Sequence, residues 1–159
     1  MLKFSNIKPI LPIITLACLV PGITLAQKNN LNNLILAVGS NQSSGMVTGN
    51  TGGAYSLASI TNRDSYGNPC MGYGDPEPDH VLTLKSDFAR LTMQVDSGGN
   101  DTTLVVQSLE FGNIRCAFGQ NSNRDAVIQD GNWSAGTYYI WVGSMSANQR
   151  SPYRLSVQQ

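Results

Sequence analysis

The sequence predicts an all-β protein, an antiparallel β-sandwich of eight or nine short strands in one domain. Three observations point there. Apolar and polar residues alternate in short runs along the chain. Gly, Pro and Asn clusters separate those runs. No segment holds helical periodicity over three turns, and Glu and Lys, good surface helix formers, are scarce.

The elements follow in order. Leu34-Ile35-Leu36-Ala37-Val38 is the first apolar run, and a Gly/Ser/Asn-rich stretch over residues 39–53 follows it. Residues 54–60 form a second candidate strand. Residues 61–79, rich in Pro, Gly and Asp, read as a long irregular loop. His80-Val81-Leu82-Thr83-Leu84 is a clearer strand. Leu91, Met93 and Val95 alternate with Thr92, Gln94 and Asp96, a period of two that places one set on a buried face. Ser97-Gly98-Gly99-Asn100-Asp101 is a turn, and residues 102–109 are a β-branched strand. Residues 113–116 give a short strand. Tyr138, Ile140 and Val142 alternate with Tyr139, Trp141 and Gly143, which sends the two aromatic sets to opposite faces. Tyr153-Arg154-Leu155-Ser156-Val157 ends the set. Two sheets built from such strands bury one face of each against the other.

Residues 1–26 read as an export signal. Lys3 and Lys8 form a short positive region, an uncharged run follows from Pro9 to Leu25, and Thr24-Leu25-Ala26 suits cleavage after Ala26. The alternative, a membrane span, is opposed by a run of about 17 residues against the roughly 20 a bilayer needs. Pro9, Pro12 and Pro21 oppose it too. Leu16-Ala17-Cys18 faintly resembles a lipoprotein cleavage site, but Thr15 stands where Leu is usual and no polar tether follows. Cys18 is therefore read as part of the apolar signal core. Residues 27–49 are read as an N-terminal segment with one strand and a polar linker, and residues 50–159 as the sandwich domain.

Over the full 159 residues, 10 basic and 10 acidic groups balance, with one His. Removing residues 1–26 takes away two Lys and no acids, which leaves 8 basic and 10 acidic groups and a net charge of −2. That balance argues against a nucleic-acid partner, which calls for a clustered basic face. Two cysteines remain, Cys70 and Cys116. In an exported chain they are expected to pair, closing a long loop; the alternative is two buried thiols. A metal site on them lacks any C-x-x-C, and the single His80 is distant in sequence.

Several segments together carry a family resemblance. They are Cys70-Met71-Gly72-Tyr73, Pro78-Asp79-His80-Val81-Leu82-Thr83-Leu84, Asp101-Thr102-Thr103-Leu104-Val105-Val106, Cys116, Ala135-Gly136-Thr137-Tyr138-Tyr139-Ile140-Trp141-Val142-Gly143-Ser144 and Tyr153-Arg154-Leu155-Ser156-Val157. In order and spacing they resemble the bacterial pre-peptidase C-terminal-like (PPC-like) domains, in particular the small stand-alone secreted type, over about residues 50–157. The resemblance implies a jelly-roll-like β-sandwich. It also implies an accessory role, with calcium binding or help in substrate binding in some members. Similar proteins place an acidic pair soon after the second Cys; here Ala117-Phe118-Gly119 follows Cys116.

Each candidate site has a plainer structural role beside it. Asp96-Ser97-Gly98-Gly99 is similar to a serine-protease nucleophile loop. His80, the sole candidate base, lies only seventeen residues upstream of Ser97, which leaves no room for the fold that assembles a triad. A hairpin turn explains the segment, and a strand-end hydrogen bond explains His80. Asp75, Glu77 and Asp79 alternate with Pro76 and Pro78, which sets three hard oxygen ligands on about one side. With Asp101 they are the candidate calcium ligands, against a solvated acidic loop. Asn121, Asn123 and Asp125 mimic the start of an EF-hand loop, but Ala126 replaces the needed Gly and Asn132 the bidentate Glu. Among the aromatics, Trp133 lies outside the expected strands and is the candidate exposed ligand platform.

The expectation is therefore a secreted or periplasmic, non-catalytic module. It would bind an extracellular polymer or protein, with no nucleic acid and no membrane span after signal cleavage. A structural envelope or matrix protein is the alternative, and a small secreted hydrolase the outside one. No cofactor is expected unless calcium binds.

Overall fold

The computed structural model describes residues 32–37, 44–120, 122 and 124–159. The expected signal over residues 1–26, with Cys18, lies outside them, as do Asn121 and Asn123 of the EF-hand-like segment. Among the described residues, eleven strands form two sheets: β1 Asn32–Leu36, β2 Ser44–Asn50, β3 Tyr55–Ser56, β4 Tyr73–Gly74, β5 His80–Leu84, β6 Phe88–Asp96, β7 Thr102–Ser108, β8 Ile114–Phe118, β9 Val127–Trp133, β10 Gly136–Ser144 and β11 Pro152–Gln158. One short 3₁₀ turn, Leu57–Ser59, follows β3.

The first sheet centres on β10. Its first half pairs antiparallel with β5 on one edge, and β4 takes the same edge at Ser144. On its other edge β10 pairs with β7, which pairs in turn with β8. β1 joins outside β5 in parallel register, so this sheet is mixed where a purely antiparallel set was expected. The second sheet runs β2-β11-β6-β9 and is antiparallel throughout.

Alternation decides the core. Leu82, Leu84, Leu104, Val106, Tyr138, Ile140 and Val142 point from the first sheet toward Leu91, Met93, Val95, Leu155 and Val157 of the second. The outward residues of the first sheet are covered as well. Val105, Cys116 and Trp141 pack under the segment that follows β2, against Leu57 and Cys70. This second cluster explains why nearly every residue of β7 is buried. It also confirms that Tyr138 and Tyr139 face opposite ways, with Tyr139 packed against the outer cluster. Cys70 and Cys116 are joined by a disulfide, with Cα atoms 5.3 Å apart, and it pins this cover to β8.

Several elements depart from the sequence expectation. The candidate strand over residues 54–60 is strand only at β3 and passes into the 3₁₀ turn Leu57–Ser59, and β4 lies inside the loop expected over residues 61–79. The Gly/Ser/Asn-rich linker contains β2, paired along its whole length with β11. Its inward position Gly49 lies opposite Tyr153, whose ring covers the glycine; a Cβ there would overlap the Tyr153 hydroxyl. β9 likewise forms where the sequence pattern predicts no strand.

Candidate functional site

The residues that suggested chemistry are built into the framework. His80 opens β5, points into the core, and is 2% exposed. Its Nε2 lies 2.8 Å from the Tyr153 hydroxyl. Burial, and next the neighbouring Asp79, push the Tyr153 phenol far above its ordinary range, so it stays protonated. Ser97 is also buried: its hydroxyl donates to Asp125 Oδ1 at 2.8 Å, and its N–H donates to the same oxygen at 3.0 Å. Asn100 N–H donates back to Ser97 Oγ at 3.1 Å. These bonds close the turn between β6 and β7 and fix Asp125 inward, away from any EF-hand-like arrangement.

Of the candidate calcium ligands, Asp75 lies near enough to Asp79 to repel its charge, and Asp101 is engaged elsewhere. Asp79 fills a gap in the ladder. On the edge of β10 that β5 leaves after Ile140 and β4 takes up at Ser144, the Val142 N–H donates to Asp79 Oδ2 at 2.7 Å. The Asp79 N–H donates to Ile140 O at 2.8 Å. Burial, with repulsion from Asp75, raises this carboxyl to about 7 despite the Val142 bond. Asp75 and Glu77 are exposed. Asp101 lies 3.6 Å from Arg124 in an exposed ion pair. Among the described residues, no three His, Cys, Asp or Glu side chains gather in a group able to hold a metal ion.

Trp133 corrects the expectation of an exposed platform. It ends β9 and is 1% exposed. Asn132 before it adopts a left-handed φ of 56°, which breaks the alternation of β9 and turns the indole inward. Its Nε1 donates to Asp130 O at 3.1 Å, and its ring packs on Tyr138.

The concave feature that sequence reasoning missed lies between β8 and β9, which are edge strands of opposite sheets. It has a volume of about 500 Å³ and is lined by residues of β8, β9 and the loop over residues 64–69. At its inner end Arg115, 5% exposed, crosses from β8 to β9. Its Nε donates to Asp130 Oδ2 at 2.6 Å, and its Nη2 donates to Gly131 O and Asn132 O at 3.2 Å each. The guanidinium lies 3.9 Å from the centre of the Trp133 ring and 5.9 Å from that of Tyr66. Burial pushes the Asp130 carboxyl up, but bonds from Arg115, the Gly131 N–H and Tyr66 outweigh it and hold it below the usual range.

The 61–69 loop closes the outer edge of β8. Asp64 accepts N–H donors from Tyr66, Asn68 and Cys116, and the Asn68 side-chain amide. Burial again acts upward on Asp64, and these bonds prevail and lower it. Ser65 N–H donates to Ile114 O, and Ile114 N–H to Ser65 Oγ, both at 3.0 Å. Tyr66, 59% exposed, rims the cleft. The sequence signal for this site was faint: one Arg in a short apolar strand, and one Asp within a Gln-Asp-Gly-Asn run.

Comparison with solved structures finds the chain similar to the pre-peptidase C-terminal domain of collagenase from Bacillus anthracis. The sequence identity is 19% and the TM-score 0.48, over 82% of this chain and 96% of that domain. The chain is also similar to PliG of Aeromonas hydrophila, a periplasmic inhibitor of g-type lysozyme. There the identity is 13% and the TM-score 0.37, over 80% of this chain and 96% of that one. No protein-family model and no curated protein matches.

Proposed function

We propose that the protein is an exported, non-catalytic binding or accessory module that takes its ligand in the cleft between β8 and β9. The observation that carries this reading is a contrast. His80 and Ser97 are buried and bonded within the framework, on Tyr153 and Asp125. The cleft is open, rimmed by an exposed aromatic, and braced at its inner end by Arg115. Recognition asks for a preformed concavity with a few fixed polar groups; acyl or glycosyl transfer asks for a nucleophile, base and substrate pocket in register. The Cys70–Cys116 bridge and the signal-like residues 1–26 support action in an oxidising compartment, the periplasm or the exterior.

The test is an NMR titration of the ¹⁵N-labelled mature chain with peptidoglycan fragments, a soluble polysaccharide and an unfolded polypeptide in turn. Shift changes clustered on Tyr66, Phe118, Val127 and Gln129 are expected with one of them. Changes confined to other surfaces, or none, would count against the cleft and favour a structural envelope role. Export is tested separately: protein recovered outside the cytoplasm should begin at Gln27.

A further inference from the structure

We propose that the cleft binds an extended, basic polypeptide segment, which adds as a strand to the free edge of β9. This rests on the reading of the cleft as the ligand site.

The register of the second sheet shows which backbone groups are free. The Val95 N–H donates to Ala126 O, directly opposite in register, which sets the phase of the ladder at a hydrogen-bonding position even though the Ala126 N–H is taken by Thr102 Oγ1. In an antiparallel ladder such positions alternate with pairs whose N–H and C=O groups point away from each other. Residues 127, 129 and 131 therefore turn their backbone groups outward, away from β6. Gly131 is already engaged there: its C=O accepts from Arg115 and its N–H donates to Asp130 Oδ1. Val127 and Gln129 have no such partner among the described residues, and both line the cleft. The facing strand is treated differently, because Asp64 and Ser65 cap the outer edge of β8 at Cys116 and Ile114. One edge is closed by a loop and the other is open beside a concavity.

The spacing selects the ligand class. Two donors and two acceptors on alternate residues match the repeat of an extended peptide, which β-augmentation uses for affinity. A sugar chain does not repeat that pattern. Charge selects the side chains. Asp64, Asp125 and Asp130 line the cleft against one guanidinium, and Arg115 is paired with Asp130. The remaining negative field favours Lys or Arg on the added strand and disfavours acidic segments.

The test uses the full mature chain and fluorescein-labelled hexapeptides read by anisotropy. One peptide alternates Lys and Thr, one is the same with alternate backbone N-methylation, and one alternates Glu and Thr. The Lys–Thr peptide should bind. N-methylation should weaken it at least tenfold, and the Glu–Thr peptide should bind at least tenfold more weakly. The amides of Val127 and Gln129 should exchange more slowly in the complex. Gln129→Pro should weaken binding at least tenfold and leave the thermal melt intact, since Pro is tolerated where an edge N–H faces outward. If that variant unfolds, the N-methylated peptide decides. Equal binding of the N-methylated peptide, no binding of the Lys–Thr peptide, or sedimentation showing self-association through Val127 and Gln129 would each overturn the proposal. Shift changes in the cleft with a polysaccharide, and none with the peptides, would sink this inference and leave the cleft reading standing.

Discussion

The Tyr153 hydroxyl on β11 lies 2.8 Å from His80 Nε2 on β5, so a polar contact spans the two sheets inside an otherwise apolar core. The rings meet edge to face at 86°. A buried polar pair of this kind is stabilising while both partners stay, and costly when one is removed. Tyr153→Phe should therefore lower unfolding free energy by about 1–3 kcal/mol, although it only removes an oxygen. Urea denaturation of both proteins measures it, and an unchanged midpoint would show that the contact contributes nothing.

Asp79 gives the stability a pH dependence with a defined sign. Its carboxyl is raised to about 7 in the folded chain, against an ordinary 3.8. Between those values the folded state holds a proton that the unfolded state has lost. Stability from this group is thus full below pH 4, falls as pH rises through 7, and levels above. Asp64 and Asp130 act in the opposite sense: their lowered carboxyls stabilise above about pH 4 and lose that effect in acid. Asp79→Asn keeps an acceptor for the Val142 N–H and removes the charge. It should abolish the decline from pH 5 to 8 and be more stable than the parent at pH 8, by about 2 kcal/mol. Parallel melts at pH 5 and pH 8 check this.

Much of this architecture was legible because alternation reports burial on one face. β5, β6 and β11 carry alternation over most of their length, β10 is apolar on both faces, and all four were read within a few residues. β2 was missed because Gly45 and Gly49 stand at two of its inward positions, and the apolar mass there comes from Tyr153 across the ladder. β9 was missed because its inward Asp130 is polar, and that Asp exists to bind Arg115 on another sheet. The cleft depends on that long-range pair, so local pattern did not reveal it. Trp133 was misjudged because the left-handed Asn132 shifts the alternation of β9 by one residue and turns the indole inward. The Cys70–Cys116 pairing was legible, since export and two remaining cysteines suffice to suggest it.

Thr103 tests packing on the covered face. Its hydroxyl is buried with no hydrogen-bond partner among the described residues. It is held tightly, since a Cβ at Gly72 or Gly143 would crowd it. An unsatisfied buried hydroxyl costs stability, and a methyl of like shape does not. Thr103→Val should raise the unfolding free energy by about 1 kcal/mol. A lower melting temperature would show that the hydroxyl has a partner in solution.

Calcium has a direct test. Asp79 is turned to Val142, Asp101 lies beside Arg124, and Asp75 and Glu77 are exposed. Six to eight oxygens are needed around the ion. Melts in millimolar calcium and in chelator should superimpose. A rise of several degrees with calcium, lost in Asp101→Ala, would establish a site that this arrangement does not assemble.

The disulfide carries the last prediction. Cys70 and Cys116 are 46 residues apart, and their bridge ties the covering segment to β8. Chain-entropy reasoning gives such a loop roughly 4 kcal/mol. The bridge also holds Leu57 and Cys70 over Val105 and Trp141. Replacing both cysteines by Ser should therefore do two separable things. It should lower global stability by about 2–4 kcal/mol. It should also loosen the cover before the core, because the inner cluster between the sheets involves neither cysteine. Trp141 is in the outer cluster and Trp133 in the inner one, so they report the two regions independently. In the double variant with Trp133→Phe, fluorescence of Trp141 should change at lower urea than the far-ultraviolet circular dichroism. Coincident transitions would show that the cover and the sandwich unfold as one unit.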